Sequence, residues 1–162
     1  MKSNFIGTCL ALALAGASTA NAGNIVETAQ TAGSFNTLIA AAKAAGLANA
    51  LATGKNLTVF APTDEAFAAL PAGTVDSLLK PENKDKLVAV LSYHVLPREL
   101  ASNQLPGRTI HVKTIKSGGD RTLSVTKASG AVSVDKANVV TADVRADNGI
   151  IHVIDKVLLP SD

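Results

Sequence analysis

The 162-residue chain has one cysteine (Cys9), one tyrosine and no tryptophan, and aromatic residues make up 3% of it. Each scarcity removes a class of explanation. A lone thiol closes no intramolecular disulfide and fills no thiolate metal site, so stability has to come from packing rather than covalent staples. Few rings and a formal charge of only +2 argue against nucleic-acid partners, which call for phosphate neutralisation and often for stacking platforms. There is no Gly-x-Ser-x-Gly elbow and no phosphate-cradling glycine loop. The three histidines, His94, His111 and His152, lack the short spacing of a zinc or iron motif. Asp64 and Glu65 are adjacent, and helix neighbours point about 100° apart, so they suit helix capping better than paired acid–base chemistry. The expectation is a protein that is not an enzyme and carries no cofactor or metal.

What is present starts with an export pattern. Lys2 is followed by an uncharged apolar run from Phe5 to Ala17, and Ala20-Asn21-Ala22 sets small residues at −3 and −1. This is the form of a cleavable secretory signal spanning residues 1–22. The run is shorter than the roughly 18–20 residues that cross a bilayer, and no stop-transfer charges follow. Cleavage removes Cys9, leaves one cysteine-free domain over residues 23–162 with no transmembrane segment, and places the protein in the periplasm or outside the cell. Charge is nearly balanced there. One segment, Arg108 to Lys136, carries six basic residues (Arg108, Lys113, Lys116, Arg121, Lys127, Lys136) against Asp120 and Asp135, which reads as a solvated strand face.

The remaining pattern changes period halfway. Asn24 with Glu27 three residues later marks a capped helix start. Ser34 opens a second helix with Phe35, Leu38, Ile39 and Ala42 at helical spacing; Leu47 and Leu51 extend it past a break at Gly46, and Gly54 stops it. Leu57 to Ala61 is a short buried strand ended by Pro62. Thr63 caps the next helix, whose first turn holds Asp64 and Glu65 and whose inner face holds Phe67 and Leu70. Helices follow over residues 74–79 and from Pro81 to Tyr93. The second half alternates instead: 109–115, 123–126, 132–134 and 138–144 read as strands, and Asn148-Gly149 is a hairpin signal before the apolar run 150–154. Helices first and an antiparallel meander afterwards give an α+β domain.

Three stretches in order resemble one family. Thr58-Val59-Phe60-Ala61-Pro62-Thr63-Asp64-Glu65-Ala66-Phe67 is similar to the first signature of fasciclin-type domains. Leu91-Ser92-Tyr93-His94-Val95 resembles their central Tyr-His motif, and Asn148-Gly149-Ile150-Ile151-His152-Val153-Ile154-Asp155-Lys156-Val157-Leu158-Leu159-Pro160 resembles the second signature. The likeness runs from about Asn24 to Pro160, and its overall character is that of a secreted, single-domain, bacterial fasciclin-like protein. It implies an antiparallel β wedge or sandwich packed against several short helices. It also implies adhesion or binding to a cell-surface or matrix protein or polysaccharide. Through the Tyr-His motif and an Asp-Ile type motif tied to receptor binding in animal relatives, it points to Tyr93, His94, Asp143 and Val144 as partner-binding residues, with Val144 in the place of isoleucine. The alternative function is a carrier of a small apolar ligand, a carotenoid or lipid; that needs a cavity, which close-packed alanine helices tend to fill.

Overall fold

The computed structural model describes residues 23–119 and 121–160; the signal segment and Cys9 lie outside the described residues. Helices α1 (Ile25–Ala32), α2 (Asn36–Ala45) and α3 (Ala48–Thr53) come first, then strand β1 (Leu57–Pro62). Helices α4 (Asp64–Ala68), α5 (Thr74–Leu79) and α6 (Lys84–Tyr93) follow, the last preceded by a 3₁₀ turn at Pro81–Asn83. Strands β2 (Val95–Leu96), β3 (Ile110–Lys113), β4 (Thr122–Ala128), β5 (Ala131–Val134), β6 (Ala137–Ala146) and β7 (Gly149–Ile154) complete the α+β domain.

Local signals account for several boundaries. The Asn24 side chain accepts the Glu27 N–H while the Glu27 carboxylate accepts the Asn24 N–H, a reciprocal pair that opens α1. Thr63 Oγ1 accepts the Ala66 N–H and opens α4. Gly46, at φ 76°, turns the chain between α2 and α3 in a left-handed conformation that costs a side-chain-bearing residue energy. Ser34, however, does not open α2. The helix starts at Asn36, and its first amides are capped from a distance: Asp64 accepts the Thr37 N–H at 2.8 Å and the Asn36 N–H at 3.3 Å. The carboxylate read as serving its own helix therefore ties α4 to α2.

The sheet runs in the order β2-β1-β7-β6-β5-β4-β3. Every pair is antiparallel except β1 with β7, which is parallel and in unbroken register from Leu57↔Gly149 to Pro62↔Ile154. This departs from an all-antiparallel meander. Parallel neighbours need a long crossover, and here every other element of the sheet and α4 to α6 make up that connection. The central pair is buried on both faces. Val59, Ala61 and Ile151 join Ile25, Phe35, Leu38, Ala42 and Leu91 in a core under the helices. Phe60 and Ile154 face a second core with Leu96, Leu123, Val125 and Val134. Burying Phe60 and Phe67 contributes roughly 1.5–3 kcal/mol each. Strand β6 carries two irregularities, between Val139 and Thr141 and between Thr141 and Val144. The second holds Asp143 at φ 57°, the geometry of a bulge that bends a strand and re-aims a side chain.

One turn joins the two ends of the helical layer. The Asn148 Oδ1 accepts the Ile25 N–H at 2.8 Å, at the start of α1. Its Nδ2 donates to the carbonyls of Leu51 at 2.6 Å and Gly54 at 2.9 Å, at the end of α3. The next residue has no room for a side chain: a Cβ at Gly149 would lie 2.0 Å from the Leu57 carbonyl oxygen. Asn148→Ala is expected to lower stability by about 2–3 kcal/mol, because it orphans groups at two helix ends. Asn148→Asp should cost at least as much, since it sets an anion against those carbonyls. Gly149→Ala should cost a similar amount or more through backbone displacement. Urea unfolding midpoints check all three, and a loss under 0.5 kcal/mol, about the scatter of ordinary surface substitutions, contradicts the turn's role.

Candidate functional site

Residues 97–109 connect β2 to β3, and side chains from four strands hold the first part of this loop down. On β1, Thr58 is fully buried; its hydroxyl donates to the Arg98 carbonyl at 2.7 Å and accepts the Leu100 N–H at 2.8 Å. On β7, His152 Nε2 donates to the Leu100 carbonyl at 2.7 Å. The β6 bulge aims Asp143 at Ser102: one carboxylate oxygen accepts the Ser102 N–H at 2.7 Å and the other its hydroxyl. From β4, Lys127 Nζ donates to the Ser102 carbonyl at 2.9 Å. Leu100, Ala101 and Leu105 turn inward while Arg98, Glu99, Asn103 and Gln104 stay exposed. The loop is thus a polar surface on a fixed base, the arrangement in which loops carry binding.

His152 is itself held on two sides. Its Nδ1 accepts the Asp143 N–H at 3.3 Å, which with the Nε2 bond assigns the neutral Nε2–H tautomer. Its ring stacks on Phe60 with centroids 5.5 Å apart and planes 23° from parallel. Both nitrogens of His94 are likewise engaged. Nδ1 donates to the Val90 carbonyl at 2.8 Å and Nε2 accepts the Leu158 N–H at 3.0 Å, so the opposite tautomer is assigned. His94 thereby stitches the end of α6 to the C-terminal segment. Its neighbour Tyr93 reaches the other core, where its hydroxyl lies 3.0 Å from the Thr122 carbonyl and 3.0 Å from Asp135 Oδ2. That hydroxyl borders an open groove of about 660 Å³ that Lys136, Lys156 and Leu159 also line. Val144 pairs with Ile151 and packs half-buried against the helical core.

The four residues singled out by family motif thus occupy separate places. Tyr93 and His94 are 3% and 1% exposed; Asp143 alone bonds directly to the loop. Thr58, Ser102 and His152 are the loop anchors the sequence reading passed over. A signal was present: Thr58 and His152 are polar residues inside apolar runs, where a buried polar group must find a partner. The basic strip does not form one solvated face. Lys116 is buried and Lys127 is committed to Ser102.

Beneath the helices the packing is open. A cavity of about 220 Å³ lies between α1, α2, α3, α6, β1 and β7, with Ala29, Ala42 and Ala61 among its walls. Alanine-rich helices were expected to close such a space. Spaced as they are, their one-carbon side chains do not reach its centre. Among the described residues, no three His, Cys, Asp or Glu side chains form a metal-binding group, and no helix is long and apolar enough to cross a membrane.

Burial pushes His94 down to about 4, against the Val90 hydrogen bond that would raise it. His152 is lowered by burial too. Burial would raise Asp64 and Asp143, but the hydrogen bonds from Thr37 and Asn36 to the first and from Ser102 to the second outweigh it. The Asn138 amide lowers Asp155. The signs agree. The unfolded chain protonates its histidines near 6.5 and folded His94 only near 4, so stability falls as pH drops through that window. At about 1.4 kcal/mol per pH unit, His94 accounts for roughly 3 kcal/mol. The depressed carboxylates contribute stability that is present above about 3.8 and vanishes at lower pH, giving a second arm. A stability profile from urea titrations should show both arms, and His94→Gln should shrink the first to the share that His152 supplies and spare the second. A flat profile from about pH 7 to 4.5 would contradict a buried neutral His94.

The sequence profile of the fasciclin domain matches residues 33–160. The chain is 51% identical over 144 residues to the protein sll1483 of Synechocystis sp., covering 89% of this chain and 77% of that one. It is 38% identical over 138 residues to the transforming growth factor-beta-induced protein ig-h3 of Sus scrofa, covering 85% of this chain but 19% of that protein. A solved FAS1 domain pair from the insect cell adhesion molecule fasciclin I superposes with a TM-score of 0.52 at 20% identity, over 82% of this chain and 46% of the pair.

Proposed function

Since the chain belongs to the fasciclin domain family, we propose that it acts as an exported binding module whose partner is a protein on a cell surface or in a matrix. One observation carries this reading. Four strands commit Thr58, Lys127, Asp143 and His152 to holding a single loop, so that Arg98, Glu99, Asn103 and Gln104 are presented on a rigid base. Pre-organisation of this kind cuts the ordering cost of association.

A protein partner is favoured over a polysaccharide because sugar faces are commonly gripped by exposed rings. Every described aromatic side chain, Phe35, Phe60, Phe67 and Tyr93, is buried. The mixed charges of Arg98 and Glu99 suit a polar protein surface instead. In this reading Tyr93, His94, Asp143 and Val144 serve binding from beneath, by fixing the elements that frame the loop. A one-domain module gains no avidity by itself, so its partner must bind tightly or the module must be clustered.

The test is affinity capture from the native envelope, followed by measured affinity for the captured partner. Exchanging the two charges (Arg98→Glu with Glu99→Arg) keeps the net charge and should weaken binding tenfold or more with the unfolding midpoint unchanged. Asp143→Asn, which weakens the anchor, should reduce affinity less and speed dissociation. Unaltered affinity in the charge-exchanged protein counts against this surface. An N-terminus at Gly23 in the exported protein is the accompanying expectation, read by intact mass.

A further inference from the structure

The space under the helices goes beyond the loop surface and depends on none of its residues. Well-packed interiors have few voids larger than a water molecule, yet this one measures about 220 Å³. An engineered cavity of about 150 Å³ suffices to hold benzene. By that ratio the space takes on the order of nine carbon atoms.

Its chemistry is narrow. The walls are alanine, valine, leucine and isoleucine with one glycine and one histidine, and no phenylalanine or tyrosine lines it. The histidine is His94, and both of its ring nitrogens are already bonded within the protein. A polar ligand atom inside would therefore lose water and gain no hydrogen bond, which is costly. Only hydrocarbon fits there. The space is not sealed either: Ile115, 37% exposed, and the exposed Ala50 belong to its wall, so it reaches solvent.

We propose that this cavity is a binding site for the tail of a single-chain aliphatic amphiphile, with the chain under α1 to α3 and the polar head in water at the rim. The volume sets the tail length. A carotenoid polyene is several times larger than the space, which could not enclose it, so of the apolar ligands a short or medium chain fits best.

The test is titration calorimetry on the purified protein with a series of straight-chain carboxylates from hexanoate to hexadecanoate, below their micellar concentrations, with decane and benzene as controls. One-to-one binding should tighten roughly three- to fourfold per methylene up to about nine or ten carbons and then level off. Ala42→Leu, which fills the space, should weaken decanoate tenfold or more while leaving the fold intact; Ala29→Val serves the same purpose if that variant fails to fold. The outcomes separate cleanly. Decane or benzene binding without decanoate binding overturns the amphiphile assignment and keeps an apolar site. Affinity that keeps rising to hexadecanoate indicates surface adsorption and overturns the proposal. So does the absence of saturable binding by any probe, or full binding in a folded Ala42→Leu protein.

Discussion

The side-chain amide of Asn148 is the point on which the helical layer hangs. Two helix ends, one needing an acceptor and the other donors, meet at a single residue that has both. Aspartate would serve one end and fail the other, and a serine hydroxyl has one proton for two carbonyls. The same turn then delivers Gly149 against the Leu57 carbonyl so closely that only glycine fits, and from that contact the parallel pairing of β7 with β1 proceeds. Register along this pair decides which side chains face the helices and which face the second core, because neighbouring strand residues point to opposite faces. A one-residue slip would exchange Ile151 with His152.

With that register set, the placement of polar groups follows. Position 152 faces Phe60 and the loop rather than the helices, and Thr58 stands on the neighbouring strand to meet the same backbone. The bulge at Asp143 supplies what a regular strand could not, an amide turned toward the His152 ring and a carboxylate turned toward Ser102. Backbone in the left-handed region is costly for residues other than glycine, least so for Asn and Asp. The cost falls where a side chain is being aimed at a surface loop.

How far the sequence could be read depended on the distance over which each signal acts. The caps at Asn24 and Thr63 have partners three residues away, and both were legible. The cap on α2 comes from Asp64, 27 residues beyond Thr37, and no local pattern announces it. Asn148 read as a turn former, which it is, but its amide also serves residues 94 and more positions away. The α+β class followed from the change of period. The parallel central pair did not, because strand order is a property of closure rather than of any one strand. The cavity was misjudged for a related reason: alanine content fixes side-chain size, whereas the volume left over depends on how far apart leucine and phenylalanine hold the helices. Among the motif residues, Tyr93 and His94 were found as a pair, but nothing in their order foretold that one ring enters each core.

The closing of the sheet by its first and last strands has a bearing on when this chain can fold. During synthesis β1 emerges before its parallel partner, which comes last among the described strands, and Asn148, which serves α1 and α3, arrives with that partner. Until then both cores lack a wall, because Ile151 belongs to one and Ile154 to the other. Contacts this distant in sequence form slowly even in a complete chain. One late strand thus closes both cores, and a truncation that stops short of Asn148 would open the two of them at once.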